Sequence, residues 1–462
     1  ETIKKRIAEG ATYQVNYTFR QRAGFSGDAY DLFRYLVSRQ GPCLSAFLDL
    51  GRFAVCSASP ELFFRRCGDR ILCRPMKGTA GRGLYPAGDK AIGRALADSE
   101  KDRAENLMIV DMVRNDLGKV ARRGSVTVDS LFDVTRYPSV WQMTSSISAR
   151  TGAGLVEIMR AVFPSASITG APKVQAMKII QELEVSRRGI YTGSIGFVAP
   201  NGNCQFNVAI RTLVVDRERD SAEYGVGGGI VWDSTPHGEY EECQAKAAIL
   251  SHRRVDFSIL EALLWMPEDG FYLMDGHLRR LEASAEFFDY PCDLDEVRSA
   301  LDRGVSGFST SLKVRLALDR WGKVTVGAVP LDEVPVPQVP RVGLASSPVD
   351  PDTVFLYHKT TCREVYERAM AARPRLDDVV LWNQRGELTE SCSCNLVLSI
   401  ANELLTPPVS SGLLAGVCRA AMLERSEIAE RVLSVEDFRR ADGIDLINSV
   451  RGMRTATRVS TP

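Results

Sequence analysis

The chain has 462 residues, 45% of them hydrophobic and 25% charged. That length exceeds one ordinary core, so two or more domains are expected. Lysine plus arginine balances aspartate plus glutamate at 58 each, which leaves no net basic field for nucleic acid or an anionic membrane surface.

No apolar run approaches the roughly 18–20 residues of a membrane-spanning helix. The 11 cysteines are scattered, and only Cys392 and Cys394 come near to pairing in sequence. With four histidines in the chain and none near those cysteines, a zinc site is not expected. Scattered cysteines without a visible secretion signal fit a reducing, cytoplasmic setting.

In chain order, the first chemical feature is Arg74-Pro75-Met76-Lys77-Gly78-Thr79. A lysine held between proline and glycine at an apolar strand end could be desolvated and nucleophilic, although the motif alone says little. A helix is expected over 104–117, with Glu105, Met108, Ile109 and Met112 on one stripe. A carboxylate on such a stripe needs a partner, either a shared metal or a neighbouring lysine or arginine.

Residues 163–184 read FPSASITGAPKVQAMKIIQELE. The spacing predicts a helix over 172–184 with Pro172 first and an apolar face of Val174, Met177, Ile180 and Leu183. Its N-terminus, with Lys173 and Lys178 adding charge, suits an anionic ligand; an ordinary amphipathic helix reads the same way. Strands at 193–199 and 204–215 flank Asn201-Gly202, a hairpin signal. In the second of these, Phe206, Val208 and Ile210 point one way and Arg211 the other, for carboxylate binding or for a cross-strand charge pair. A third strand, 224–231, carries Gly227-Gly228-Gly229. A helix over 239–253 puts Glu239, Glu242 and Lys246 on one face, as a Mg²⁺ site or a solvated charged surface. The sum is an α+β domain with largely antiparallel sheets, ending near residue 256.

The second domain, 256–462, contains an extended connector at 330–340 with four prolines, which joins two halves. Lys359 sits at the start of an expected helix, Glu390 follows in DDVVLWNQRGELTESCSCNLVL, and a glycine turn runs through 407–422. A Schiff-base lysine, an acid for a pyridine nitrogen and a phosphate turn are the parts of a pyridoxal 5'-phosphate (PLP) site. Each also reads as a surface group or a plain turn.

Together, SASPELFF (57–64), PMKGTAGRG (75–83), KDRAENLMIVDMVRNDLGKVA (101–121), ITGAPK (168–173), YTGSIGF (191–197), FNVAIRTL (206–213) and GGGIVWDS…EYEECQAKA (227–247) resemble the chorismate-binding family. That family includes anthranilate synthase and aminodeoxychorismate synthase component I. The resemblance implies an antiparallel-sheet sandwich with helices and Mg²⁺ held by Glu105, Glu239 and Glu242. It implies substrate carboxylates surrounded by Tyr191, Arg211 and Lys246, with backbone at Thr169-Gly170 and around Gly228. Glu61 matches the acid that helps the 4-hydroxyl leave. Lys77 matches the lysine of aminodeoxychorismate synthases, where anthranilate synthases place alanine. Gln142 stands where many members have histidine, and it can hydrogen-bond but not carry a proton charge. Members usually have a substantial segment before the equivalent of 2–16, so an N-terminal part is expected to be missing, with the glutaminase-docking surface.

The second set, with FYLMDGHLRRLEASAEFF (271–288), resembles class IV PLP enzymes, which include aminodeoxychorismate lyase; the implied fold is a two-part α/β domain. Carried over, Lys359 holds PLP, Glu390 faces the pyridine nitrogen, and Arg280, the backbone around Leu414 and Val417, and Ser449 bind phosphate. Cys418 replaces a common threonine, Cys362 lies where related fused chains often have arginine, and a hydroxyl donor of the lyase falls near Glu261. The implied activity is p-aminobenzoate synthesis from chorismate and ammonia. No cysteine–histidine glutaminase motif is visible, so a glutamine amidotransferase subunit or free ammonium is the expected ammonia source. A homodimer through the PLP domain is a further expectation. The alternatives are an anthranilate synthase joined to an amino-acid transaminase, or a non-catalytic scaffold that binds the glutaminase.

Overall fold

Strand pairing organises the first part of the chain. In the computed structural model, which describes residues 1–41, 43–250, 255–334 and 336–459, one sheet runs Leu44–Leu50, Phe53–Ser59, Thr212–Asp216, Ser221–Ile230, Gln14–Gly24 and Gly170–Ala171, all antiparallel. A second runs Ser194–Val198, Cys204–Val208, Leu62–Cys67, Arg70–Arg74, Val140–Arg150 and Met76–Gly81, with Thr127–Arg136 also on Val140–Arg150. The hairpin at Asn201-Gly202 forms as expected, with Gly202 in the left-handed region.

The strand expected over 204–215 is two strands. Cys204–Val208 belongs to the second sheet and Thr212–Asp216 to the first. Residues 209–211 carry the chain between sheets, and Arg211 takes the left-handed backbone, φ 51°. A period-2 pattern that runs on through such a crossing cannot reveal it.

Helix α1, Glu100–Gly118, starts before the expected 104 because Ser99 caps it: its Oγ accepts the Asp102 N–H at 3.3 Å. Its Ile109, Val110, Val113 and Leu117 pack on Phe63, Phe64, Ile71 and Ile147 of the second sheet. Helix α2 is Lys173–Leu183, with Pro172 as N-cap in extended backbone and outside the helix. Its buried stripe is Ala176 and Ile179 with Ile180 and Leu183 beside them, whereas Val174 and Met177 are 69% and 42% exposed. The small Ala176 faces inward because Gly170 comes so close that a Cβ there would lie 2.8 Å from the alanine Cβ. Helix α3, Pro236–Ala247, begins three residues earlier than expected, since Thr235 caps it with a 3.2 Å bond from Gly238 N–H. Residues 251–253 of the expected helix lie outside the described residues.

The chain divides into two units, Glu1–Arg82 with Lys90–Arg254 and Gly83–Asp89 with Val255–Pro462. In the second, an antiparallel four-stranded sheet (Gly270–Phe271, Ile259–Met266, Leu312–Leu318, Val324–Pro330) packs against helix α4, Met274–Phe288, and the helix Leu294–Val305. Beyond the proline connector, strands Leu388–Ser391, Asp378–Trp382, Arg341–Leu344 and Thr457–Arg458 form a mixed sheet. A five-stranded sheet, which includes Asn395–Ile400 and Gly443–Asn448, is covered by helix α5, Val417–Glu424. The two-part α/β organisation is as expected. No described helix is long and apolar enough to cross a membrane.

Candidate active sites

In the first unit, Lys77 sits in a break of the strand ladder. The register between Met76–Gly81 and Val140–Arg150 slips between Met76 and Thr79, and Gly78 takes φ 94°. Such bulges re-aim side chains beside functional sites. Two side chains hold this one: Asn106 of α1 donates to the Lys77 carbonyl at 3.1 Å, and Gln142 donates to the Gly78 carbonyl at 2.9 Å. Gln142 therefore works as a backbone clamp, consistent with its lack of a titrating proton.

Lys77 Nζ reaches the strand Ser221–Ile230. A Cβ on Gly229 would stand 2.7 Å from that nitrogen, and one on Gly228 would stand 2.6 Å from Glu239 Oε2. The glycines thus leave a floor without side chains on which these tips converge. Burial pushes the Lys77 ammonium down from its ordinary value, against the opposing pull of Glu105, with Lys246 adding to the fall. Burial raises the Glu61 carboxyl to about 7, although the Ser167 hydroxyl donates to it at 2.6 Å. The site therefore holds an amine whose charged form burial disfavours and an acid whose proton is held more tightly than usual.

The expected metal ligands divide. Glu105 is raised by burial, with Lys77 opposing and Glu239 adding to the rise. Glu239 accepts from Ser234 at 2.6 Å through Oε1, while its Oε2 is buried without a partner. Glu242 pairs with Lys246 at 2.6 Å; burial alone would raise it, but Lys246 brings it below its ordinary value. Oxygen chemistry and the orphaned Glu239 atom fit a hard cation. Among the described residues, however, no three acidic, histidine or cysteine side chains gather as a ready metal site.

The other substrate-binding candidates have local work. Arg211 is not on a strand face; its guanidinium donates to the Lys246 carbonyl at the end of α3. Lys246 also donates to the Gly227 carbonyl at 2.9 Å. Thr169 returns its hydroxyl to the Ser165 carbonyl at 3.0 Å, and Gly170 has φ 150° with the Gln14 carbonyl 2.1 Å from where its Cβ would be. Tyr191 is buried on Gly225 under the Arg20 guanidinium, 4.8 Å from its ring centre. Lys173 is engaged within the fold, by the Asp116 carboxylate and by the Val162 and Pro164 carbonyls. Gln14 escaped the sequence reading. Its amide is 1% exposed, neither polar atom has a partner, and its Nε2 lies 2.3 Å from where a Gly229 Cβ would be.

In the second unit a cavity of about 380 Å³ is lined by Lys359, Glu390, Arg280, Leu414, Val417 and Ser449, so all six expected PLP residues meet. Lys359 lies in irregular chain and not at a helix start, because the next helix begins only at Glu364. Burial, aided by Arg280, lowers its ammonium to about 8. Burial raises Glu390 to about 7, opposed by bonds from the Tyr366 hydroxyl at 2.8 Å and the Leu414 N–H at 3.2 Å. Gly416 caps α5 without a side chain, so the first amides of that helix are available to an anion. These groups fit PLP chemistry: an amine, an acid and an anion cradle in one cavity.

Glu261 is no hydroxyl donor. It is a buried carboxylate that accepts from Arg280 and His277. Arg363, not residue 362, supplies the arginine near Lys359; it stacks 4.6 Å over Tyr366 and donates to the Cys392 carbonyl at 2.6 Å. The three-residue spacing of Arg363 and Tyr366 just beyond the lysine was the available signal.

Residues 1–252 match the family described as chorismate binding enzyme, and residues 258–459 match amino-transferase class IV. An aminodeoxychorismate synthase of Streptomyces griseus is 44% identical over 254 residues, 54% of this chain and 35% of that protein. An anthranilate synthase component 1 of Haloarcula marismortui is 41% identical over 268 residues, 56% of this chain and 54% of that protein. The crystal structure of anthranilate synthase component I from Streptococcus pneumoniae superposes with a TM-score of 0.50 at 30% identity, covering 54% of this chain and 56% of that one. The chain spans about half the length, or less, of these relatives.

Proposed function

The chain belongs to the chorismate-binding enzymes, and from that premise we propose that it makes p-aminobenzoate from chorismate in two steps, one in each unit. Relatives of both the aminodeoxychorismate and the anthranilate kind match at similar identity, so the choice between them rests on one observation. Lys77 is a half-buried amine, its pKa lowered, aimed at the glycine floor beside Glu239 and Gln14.

In the first step the Lys77 amine, in its unprotonated form, adds to C2 of chorismate, both ring double bonds shift by one position, and the 4-hydroxyl leaves as water with the proton of Glu61. Ammonia then adds at C4, both double bonds return, and the Lys77 amine is expelled. The product is 4-amino-4-deoxychorismate. Mg²⁺ held by Glu105, Glu239 and Glu242 would neutralise and orient a substrate carboxylate. A separate glutamine amidotransferase subunit, or free ammonium, supplies the ammonia.

In the second step the product loses pyruvate. PLP, when bound, supplies the electron sink. Arg280 with the first amides of α5 holds its phosphate, and Glu390 orients its ring. Lys359 takes the C4 proton of the substrate; an amine whose pKa lies at about 8 can accept and return it near neutral pH. What favours lyase over transaminase is the fusion itself, since a chain whose first unit makes the amine gains from consuming it.

The Lys77→Ala variant tests the first step. Aminodeoxychorismate formation should fall to background while the fold, followed by circular dichroism, persists. Unchanged turnover would remove Lys77 from the mechanism.

A further inference from the structure

The PLP cavity contains a buried ion pair of which the proposed chemistry uses only the arginine. Glu261, on the strand Ile259–Met266, accepts from Arg280 Nε at 2.9 Å and from Nη2 at 2.6 Å. His277 of α4 bonds the same carboxylate through Nδ1 at 2.7 Å. The side chains of Glu261 and His277 are 3% and 1% exposed, and that of Arg280 is 15% exposed. His277 lines the cavity, and its Nε2 is buried without a partner.

A guanidinium has five N–H donors in one plane. Glu261 takes two of Arg280's and the Ala415 carbonyl takes a third at 3.2 Å. Two remain, one on each terminal nitrogen, in a plane that the carboxylate fork has fixed. Helix packing puts that plane beside the start of α5: Gly276 lets α4 approach so closely that a Cβ there would lie 2.5 Å from Val417 Cγ1. Buried pairs of this kind are weak sources of net stability, because desolvation offsets attraction. Fixed geometry is a better reason to have one.

Building on the PLP reading, we propose that Glu261, backed by His277, is a positioning residue that aims Arg280 at the phosphate of the cofactor. The proposal opposes simple charge counting. Glu261 cancels the charge of Arg280, so an anion site governed by net charge alone would bind tighter without it. A site governed by aim would bind more weakly.

The test uses the full chain freed of cofactor and titrated with PLP and, separately, with pyridoxal, which lacks the phosphate. In Glu261→Gln the PLP Kd should rise at least tenfold while the pyridoxal Kd stays constant. In an Arg280→Lys background, which has lost the fork, Glu261→Gln should add nothing further. Unchanged or tighter PLP binding would overturn the proposal. An equal loss for both ligands would do the same, because it would mark a purely structural pair. Inorganic phosphate, followed by ³¹P NMR, separates the two layers of inference. Wild-type binding of phosphate that Glu261→Gln weakens, with no PLP absorbance, would remove the PLP reading and keep the aimed anion site. No binding of phosphate or PLP by wild type would overturn both.

Discussion

Glu61 should make the stability of this chain depend on pH in a direction opposite to most surface carboxylates. Its carboxyl is 3% exposed and rises from 4.5 to about 7, chiefly by burial. Between those values the folded chain keeps a proton that the unfolded chain has released. Stability therefore falls as pH rises across that window and is level above it. At ~1.4 kcal/mol per pH unit, the loss from Glu61 is about 3 kcal/mol. Glutamine has nearly the same shape and can still accept from Ser167, but it does not titrate. Glu61→Gln should then gain about 3 kcal/mol relative to wild type on moving from pH 5 to pH 8. Urea denaturation of both proteins at both pH values, followed by fluorescence, reads this difference in the first cooperative transition. Parallel behaviour, with a pH-independent gap, would refute the claim that Glu61 is held protonated, and the general-acid assignment would lose its physical basis.

Further outcomes follow from the same geometry. Gly229→Ala puts a methyl against the tips of Gln14 and Lys77, which can move aside; aminodeoxychorismate formation should drop about 100-fold with little change in melting temperature, as displacements of about 1 Å can do. Asp116→Ala strips Lys173 of its carboxylate in a pair whose side chains are 6% and 16% exposed; urea denaturation should show a loss of about 3 kcal/mol. Lys359→Ala should abolish the PLP absorbance band of the chain, and a retained Schiff-base band would exclude this lysine as the anchor.

Many of the candidate site residues could be named from the sequence because they lie in contiguous motifs. Lys77 between proline and glycine, the glycine run 227–229 and the acid pair on α3 can each be picked out locally but say little alone, and the glycine floor brings Lys77 and Glu239 together. What escaped was tertiary. The face of α2 turns on how close Gly170 comes to Ala176. The strand break at Arg211 exists because the chain changes sheets there. Gln14 was readable in principle: Thr12, Gln14, Asn16 and Thr18 form a polar period-2 row, and all four are buried. A polar row would ordinarily be assigned to the wet face of a sheet. Here the polar row is buried instead. Glu261 and His277 were invisible as a pair because strand and helix meet only in the fold.

The central claim is best tested by incubating the chain with chorismate, ammonium, Mg²⁺ and PLP and identifying products by mass spectrometry. The account predicts p-aminobenzoate and pyruvate in equal amounts. Anthranilate in place of p-aminobenzoate, with pyruvate released in either case, would contradict it, because Lys77 would then not decide the chemistry of the first unit.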